Sequence, residues 1–223
     1  MDITNAVAVV TGANRGLGRH FAAQLLERGV KVYAGARNPA TVDLPGAIPL
    51  QLDITDPAQV EQAAKTASDA TLLINNAGTS LGAQLLTGDL DEIRLEMETH
   101  YFGTLGVTRA FAPVIEANGG GAILNVLSVL SWYHPAGAGA YSAAKAAGWA
   151  MSNAVREELA PRGIEVATLH VGYMDTGMAA HVPADQKIDP ALVARLALDG
   201  IAAGQPEILA DDLTRGVKAG LAG

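Results

Sequence analysis

The chain contains no cysteine, which removes disulfides, thiolate catalysis and Cys-ligated zinc from consideration. It is also short of positive charge. Fifteen Lys and Arg stand against 23 Asp and Glu, for a formal net charge of -8, and the basic residues form no run. A surface of that sign repels a phosphate backbone, so nucleic acid is excluded as a partner and any anion must be held by a local site. No window offers about 18 uninterrupted apolar residues, and Met1–Asn5 is not a basic segment leading into an apolar one. The expectation is a cytoplasmic protein without a membrane span. His20, His134, His170 and His181 fall at no metal-ligand spacing, so no metal is expected. Internal repeats, low-complexity tracts and long linkers are absent as well.

The 223 residues are instead 49% hydrophobic with 25 glycines, which suits one domain over residues 1–223 rather than two halves with meagre cores. Short β-rich runs alternate with longer amphipathic stretches, the pattern of repeated βαβ units. The strands are expected at Ala6–Val10, Lys31–Gly35, Ile48–Leu52, Thr71–Ile74, Ala122–Leu127, Glu165–His170 and Glu207–Leu209. Runs such as Val7-Ala8-Val9-Val10 do not alternate, as befits strands covered on both faces. The fold class is therefore α/β: a Rossmann-type doubly wound parallel sheet of about seven strands with helices on both faces. Long helices are expected around Leu90–Asn118 and Tyr141–Arg162, a turn-rich connection at Pro39–Pro49, and the most mobile loop at Tyr173–Ile188. In such a sheet ligands bind beyond the carboxyl ends of the strands.

Directly after the first strand comes Thr11-Gly12-Ala13-Asn14-Arg15-Gly16-Leu17-Gly18, opening the helical pattern of Arg19–Arg28. Glycines there allow a tight turn and close backbone approach to a pyrophosphate, while the helix N-terminus presents N–H groups and partial positive charge. The turn is a candidate dinucleotide site through Gly12, Asn14, Arg15, Gly16, Leu17 and Gly18. An acidic residue after the second strand would accept bonds from an adenosine 2′-hydroxyl, but the chain has Ala36-Arg37. Arg37, with Arg15 as a second cation, suits a 2′-phosphate and favours NADP(H) over NAD(H), although either could be an ordinary surface arginine.

The spacing Gly-x-x-x-Gly-x-Gly in Thr11–Gly18, together with Asn75-Asn76-Ala77-Gly78, resembles the two cofactor signatures of the short-chain dehydrogenases/reductases. Ser128 thirteen residues before Tyr141, followed by Tyr141-x-x-x-Lys145, matches the catalytic pattern of the same family. Tyr141 and Lys145 are four apart and so share one helix face. Separately, Ser128 could be a turn residue, Tyr141 a packing residue and Lys145 a surface lysine; it is their joint spacing that argues for a site. Reducing a carbonyl by hydride leaves an oxyanion that needs a proton. Tyr141 can supply it, with Lys145 favouring the phenolate and Ser128 bonding the oxyanion.

The resemblance implies further roles. Asn76, Ala77 and Gly78 would border the cofactor, Asp53 would reach the adenine with Ile54 adding an apolar contact, and Tyr141 and Lys145 would also touch the cofactor, Lys145 at the nicotinamide ribose. The backbone of Val171 and the side chain of Thr176 would meet the carboxamide. Two departures stand out. His100 occupies the position where relatives place an Asn that holds a water in the proton relay; its imidazole either substitutes in that relay or is a packed helix histidine. Val171-Gly172 replaces the usual Pro-Gly, which puts the stiffness of that turn in question. Leu130, Trp132, Tyr133, His134, Tyr173, Met174 and Met178 are expected either to line the substrate side or to cap the core. The resemblance also implies a homodimer or homotetramer built along the long helices.

The reading that follows is an oxidoreductase passing a hydride between NADP(H) and a small-molecule carbonyl or alcohol, a hydrophobic ketone or aldehyde. Two other readings remain: an NADP(H)-binding regulator or scaffold with weak turnover, and an epimerase or dehydratase on the same fold. The C-terminal Asp211–Arg215 segment carries no chemistry that the sequence reveals.

Overall fold

A computed structural model describes residues 1–221. Seven strands, β1 (Val7–Thr11), β2 (Lys31–Ala36), β3 (Ile48–Gln51), β4 (Leu72–Asn75), β5 (Gly121–Val126), β6 (Ile164–His170) and β7 (Glu207–Leu209), form one sheet in the order β3-β2-β1-β4-β5-β6-β7. Every neighbouring pair is parallel. The expected strands are all present, several displaced by about one residue, because the hydrogen-bond ladder rather than the apolar run decides where pairing stops. Helices α1 (Gly16–Glu27) and α6 (Pro190–Ala202) cover one face. Helices α2 (Pro57–Thr66), α4 (Thr104–Ala117) and α5 (Gly139–Leu159) cover the other, while α3 (Leu90–Met97) leads into α4 and α7 (Asp212–Gly220) follows β7.

Two-sided coverage explains the strand sequences. In β1, Ala8 and Val10 enter the core shared with Phe21 and Leu25 of α1, and Val9 enters the opposite one with Phe111 and Ile115 of α4. In β4, Leu72 and Ile74 divide from Leu73 in the same way. Aspartates set several helix starts: Asp56, Asp89, Asp189 and Asp211 each accept backbone N–H bonds at the beginnings of α2, α3, α6 and α7.

The long helix expected at Leu90–Asn118 is not regular. Between α3 and α4 the residues Glu98–Gly103 form a π-helical turn. Gly103 there lies against the Ile54 carbonyl, where an added Cβ would come within 3.0 Å of the oxygen. Such insertions arise where a helix must widen to satisfy a local contact, and they concentrate at functional sites. The Tyr173–Ile188 segment is tied at its base by a parallel bridge between Met174 and Ile188, with Asp175 N donating to Ile188 O at 3.0 Å and Ile188 N to Tyr173 O at 2.9 Å. Among the described residues no helix is long and apolar enough to cross a membrane.

After β3 the chain crosses from one side of β1 to the other, so the carboxyl ends of β1 and β4 flank the topological switch point. That crevice is where open α/β sheets take ligands. The packing argument is tested at Phe111, which is fully buried. Phe111→Ala is expected to cost about 3–5 kcal/mol, read as a lowered midpoint in urea unfolding at unchanged m value.

Candidate active site

The switch point is held by bonds between side chains and backbone. Thr11 Oγ1 accepts from Asn76 N and Ala77 N, both at 2.9 Å, and Asn76 Nδ2 donates to Thr11 O at 2.9 Å and Gly12 O at 3.3 Å. The glycine turn and the Asn75–Gly78 segment are thus sewn to each other. Gly12 and Gly16 have φ of 65 and 52, the left-handed region that other residues adopt at a cost. A Cβ on Gly18 would be driven into the Gly12 carbonyl oxygen and the Asn76 side chain, so the third glycine is required by close contact.

Unlike the Asp-capped helices, α1 starts after Arg15 with no side-chain cap, and its first N–H groups are left to a ligand. Leu17 anchors the turn in the core, and Asn14 Nδ2 bonds Thr41 Oγ1 at 3.1 Å. Arg15 and Arg37 are both exposed at the same edge, and neither makes an ion pair among the described residues, whereas Arg19 is held by Asp43 at 3.0 Å. Asp53 is half-buried and accepts from Thr55 N and Oγ1 at 3.0 and 2.8 Å, which leaves its Oδ2 without an intramolecular bond. Ile54 is a core residue against the π turn. Thr176 crosses over the glycine turn, its methyl lying 3.5 Å from the place a Gly16 Cβ would take. These residues fit a dinucleotide: a glycine cradle that no Cβ could share, an uncapped helix start and unpaired cations at its edge.

Past the end of β5 and on α5 the Ser–Tyr–Lys set is brought together. Ser128, two residues past β5, is buried; its Oγ accepts from Leu130 N at 3.1 Å and donates to Val171 O at 3.4 Å. Lys145 is buried on α5, donates from Nζ to Val126 O at 2.9 Å and lies 5.5 Å from the centre of the Tyr141 ring. Burial lowers its pKa to about 8, opposed by the Glu96 carboxylate, so it carries its charge at neutral pH. The Tyr141 phenol is pushed well above the usual range, by burial first and by Glu96 second, with a hydrogen-bonding contribution from Ser128 in the other direction.

His100 belongs to the π turn and is buried among these groups, its ring edge-on to Tyr141 at 5.1 Å between centroids. Nε2 lies 2.7 Å from Thr79 O and 3.3 Å from Glu96 Oε2. Burial, followed by the Lys145 charge, lowers its pKa, while Glu96 and the Thr79 carbonyl raise it. Gly78 is needed here, since a Cβ on it would fall 2.7 Å from His100 Cε1. Glu96 itself was not among the residues singled out from the sequence. It is fully buried and accepts from Leu81 N at 2.6 Å. Its i,i+4 spacing to His100 was the available signal.

Two points that the sequence left open are decided by the fold. Trp132 does not line the substrate side: it is buried, stacked on His170 with centroids 3.9 Å apart, and Lys218 Nζ sits 4.5 Å from its ring. The Val171-Gly172 turn is held without proline, because Gly172 N donates to Asp211 Oδ2 at 2.7 Å while Asp211 Oδ1 caps α7 at Thr214 N, also 2.7 Å. Asp211 thus stiffens the turn, and the Val171 carbonyl accepts from Val129 N at 3.0 Å. By contrast Tyr133, Tyr173 and Met178 are exposed and Leu130 and Met174 half-buried. His134 lines a surface cavity of about 430 Å³ with Leu85, Leu86, Pro135 and Ala136. No metal-binding cluster occurs among the described residues.

Comparison with known proteins agrees with this fold. The family model of the short chain dehydrogenases matches residues 6–187. The chain belongs to that family, and its class of chemistry is that of an oxidoreductase. A short chain dehydrogenase from Burkholderia cenocepacia, solved in complex with NADP, is 41% identical with a TM-score of 0.95 and covers 100% of this chain and 94% of its own. Another from Burkholderia phymatum, in complex with NAD, is 25% identical with a TM-score of 0.86, covering 98% and 93%. Among curated proteins, a 3-oxoacyl-[acyl-carrier-protein] reductase of Salmonella typhimurium is 30% identical over 197 residues, 84% of this chain and 81% of that one. An uncharacterised oxidoreductase of Staphylococcus aureus is 29% identical over 211 residues, covering 88% and 90%.

The His170 cluster behind Ser128 gives a pH prediction. Its Nδ1 faces Ser128 O at 3.2 Å, and burial lowers its pKa to about 4 from 6.5. The unfolded chain then binds the proton that the folded state refuses, so stability falls as pH drops from about 6.5 toward 4. His170→Gln should make that slope of unfolding free energy against pH shallower by up to one proton, measured by urea titration across the window.

Proposed function

We propose that this protein is an NADP(H)-dependent oxidoreductase that interconverts a hydrophobic ketone or aldehyde and its alcohol, with Tyr141 as acid and base. The observation that carries the reading is the buried Lys145 cation 5.5 Å from the Tyr141 ring, with Ser128 on the adjoining strand end and the glycine cradle beside them. The cofactor, when bound, supplies or accepts the hydride.

The chain's own residues do the rest. Gly12, Gly16, Leu17, Gly18, Asn14, Asn76, Ala77 and Gly78 shape the crevice, and the open N–H groups of α1 hold the diphosphate. Arg15 and Arg37 meet the adenosine 2′-phosphate, for which a guanidinium offers paired donors. Asp53, with its unused oxygen, and Ile54 form the adenine end; Val171 and Thr176 close the nicotinamide end. Ser128 Oγ donates to the substrate oxygen as it gains charge. Tyr141 holds its proton firmly at neutral pH and gives it to that oxygen, and the Lys145 ammonium stabilises the phenolate that remains. His100 stands beside this transfer in the place of the family's Asn.

Leu130, Tyr133, Tyr173 and Met178 around the opening, with the Leu85–Leu86 cavity beyond, support an apolar substrate. Exposed Leu95 and Phe102 on the α3–α4 face support a homodimer or homotetramer.

The deciding experiment follows NADPH and NADH oxidation with a panel of aromatic and aliphatic ketones and aldehydes, while measuring the binding of each cofactor separately. Turnover selective for NADPH is expected; NADPH binding with no carbonyl reduced would favour a regulator. Tyr141→Phe should lower kcat by about 10²–10⁴-fold with NADPH affinity retained. Arg37→Ala should reduce the NADPH over NADH preference by about 10–100-fold, and an unchanged preference would remove the assigned phosphate contact.

A further inference from the structure

Glu96 is the sole carboxylate among the fully buried side chains of the described residues, and it lies within the reaction centre. One oxygen, Oε1, takes Leu81 N at 2.6 Å and so fixes the segment after β4. The other, Oε2, makes no hydrogen bond of good geometry, and the nearest positive or polarisable group is His100 Nε2 at 3.3 Å. A buried carboxylate left half satisfied costs several kcal/mol unless a neighbouring cation or donor offsets it. Purely structural anchoring of Leu81 would be served as well by a neutral glutamine. The charge therefore calls for its own explanation.

The imidazole supplies one. Its Nε2 has two acceptors nearest to it, Thr79 O at 2.7 Å and Glu96 Oε2 at 3.3 Å, and one backbone donor farther out, Thr79 N at 3.4 Å. The acceptors are the closer partners and outweigh the long contact from Thr79 N, so the neutral ring is assigned as the Nε2–H tautomer with the lone pair on Nδ1. Among the described residues Nδ1 has no hydrogen-bond partner, and the ring that bears it meets Tyr141 edge-on. The groups facing this pair are few. Tyr141 and Lys145 approach from α5, the backbone of Gly78, Thr79 and Leu81 from the segment after β4, and no other acid or base contributes.

We propose that Glu96 is a positioning residue of the proton-transfer site: it holds His100 in the Nε2–H tautomer, leaving Nδ1 as a hydrogen-bond acceptor beside Tyr141 and Lys145. The logic is that of a carboxylate orienting an imidazole through one nitrogen so that the other serves the reaction. It applies here to a histidine on a π turn in place of an amide. A second consequence is Coulombic. The Glu96 charge favours the protonated forms of both Tyr141 and Lys145, which suits a site that must deliver a proton.

The inference rests on the reductase reading, so its test includes a measurement independent of turnover. Wild type, Glu96→Gln, His100→Asn and the double variant are compared. Glu96→Gln keeps an oxygen for Leu81 N, removes the charge and turns the Oε2 position from an acceptor into an amide donor facing His100. In the cofactor-free protein, 15N NMR of labelled imidazoles, assigned by the signal lost in His100→Asn, should find His100 as Nε2–H in wild type. In Glu96→Gln it should show a mixture with the Nδ1–H form. In NADPH-dependent reduction, Glu96→Gln should lower kcat about tenfold with KM for NADPH little changed. It should also move the basic limb of the pH profile down by about one unit. In the His100→Asn background the same substitution should still move the limb but leave kcat within about twofold.

An imidazole that stays fully Nε2–H in Glu96→Gln overturns the proposal, as does a kcat loss of equal size with and without His100. Absence of any carbonyl reduction by wild type would instead remove the reductase reading, and the NMR result would still decide the role of Glu96.

Discussion

The structure hangs on a reciprocal set of bonds between two parallel strand ends. Asn76 gives its side-chain N–H groups to the carbonyls of Thr11 and Gly12, and Thr11 returns its hydroxyl oxygen to the backbone N–H groups of Asn76 and Ala77. Because these strands flank the point where the chain changes direction across the sheet, the bonds hold a crevice open that hydrophobic packing alone would tend to close. Everything placed around the crevice, from the first turn of α1 to the loop bearing Thr176, inherits its position from them. Side chain to backbone bonds of this kind contribute about 1 kcal/mol each. Their larger effect is to exclude other arrangements of the glycine turn.

Beneath the site runs a second polar line. Asn75 donates to Asn125 Oδ1 at 2.8 Å and to Thr108 Oγ1 at 3.1 Å, Asn125 donates to Ser152 Oγ at 2.9 Å, and Ser152 donates to the Gly148 carbonyl at 2.7 Å. It ties β4 and β5 to α4 and to the middle of α5. Gly148 allows α5 to lie close, since a Cβ would stand 3.2 Å from a Leu127 methyl. The helix carrying Tyr141 and Lys145 is therefore fixed in rotation as well as in distance, as a reaction geometry requires.

Much of this was legible in the sequence because it depends on local pattern. Uninterrupted apolar runs marked the buried strands, the glycine spacing marked the turn after β1, and the four-residue interval put Tyr141 and Lys145 on one face. What was not legible depends on contacts between distant segments. Glu96 sits in Leu-Glu-Met-Glu-Thr-His, which reads as the solvated side of an amphipathic helix; only the π turn and the returning Thr79–Leu81 backbone put it inside. Trp132 follows Ser128 and could be read as a pocket wall or as a core cap; His170, a neighbour only after β6 pairs with β5, draws it into the interior. Asp211 revealed no chemistry in the sequence, because only the fold sets it against Gly172.

The bridge between Met174 and Ile188 has a different kind of consequence. By pinning the two ends of the segment, it closes the intervening stretch into a loop that touches the crevice through Thr176 but whose outer part can change length without altering the sheet. A loop anchored in this way can be lengthened, shortened or exchanged at a closure cost that rises only slowly with its length. On the reading proposed above, in which this segment borders the substrate, substrate preference can accordingly diverge by replacing one insert while Ser128, Tyr141 and Lys145 stay where they are.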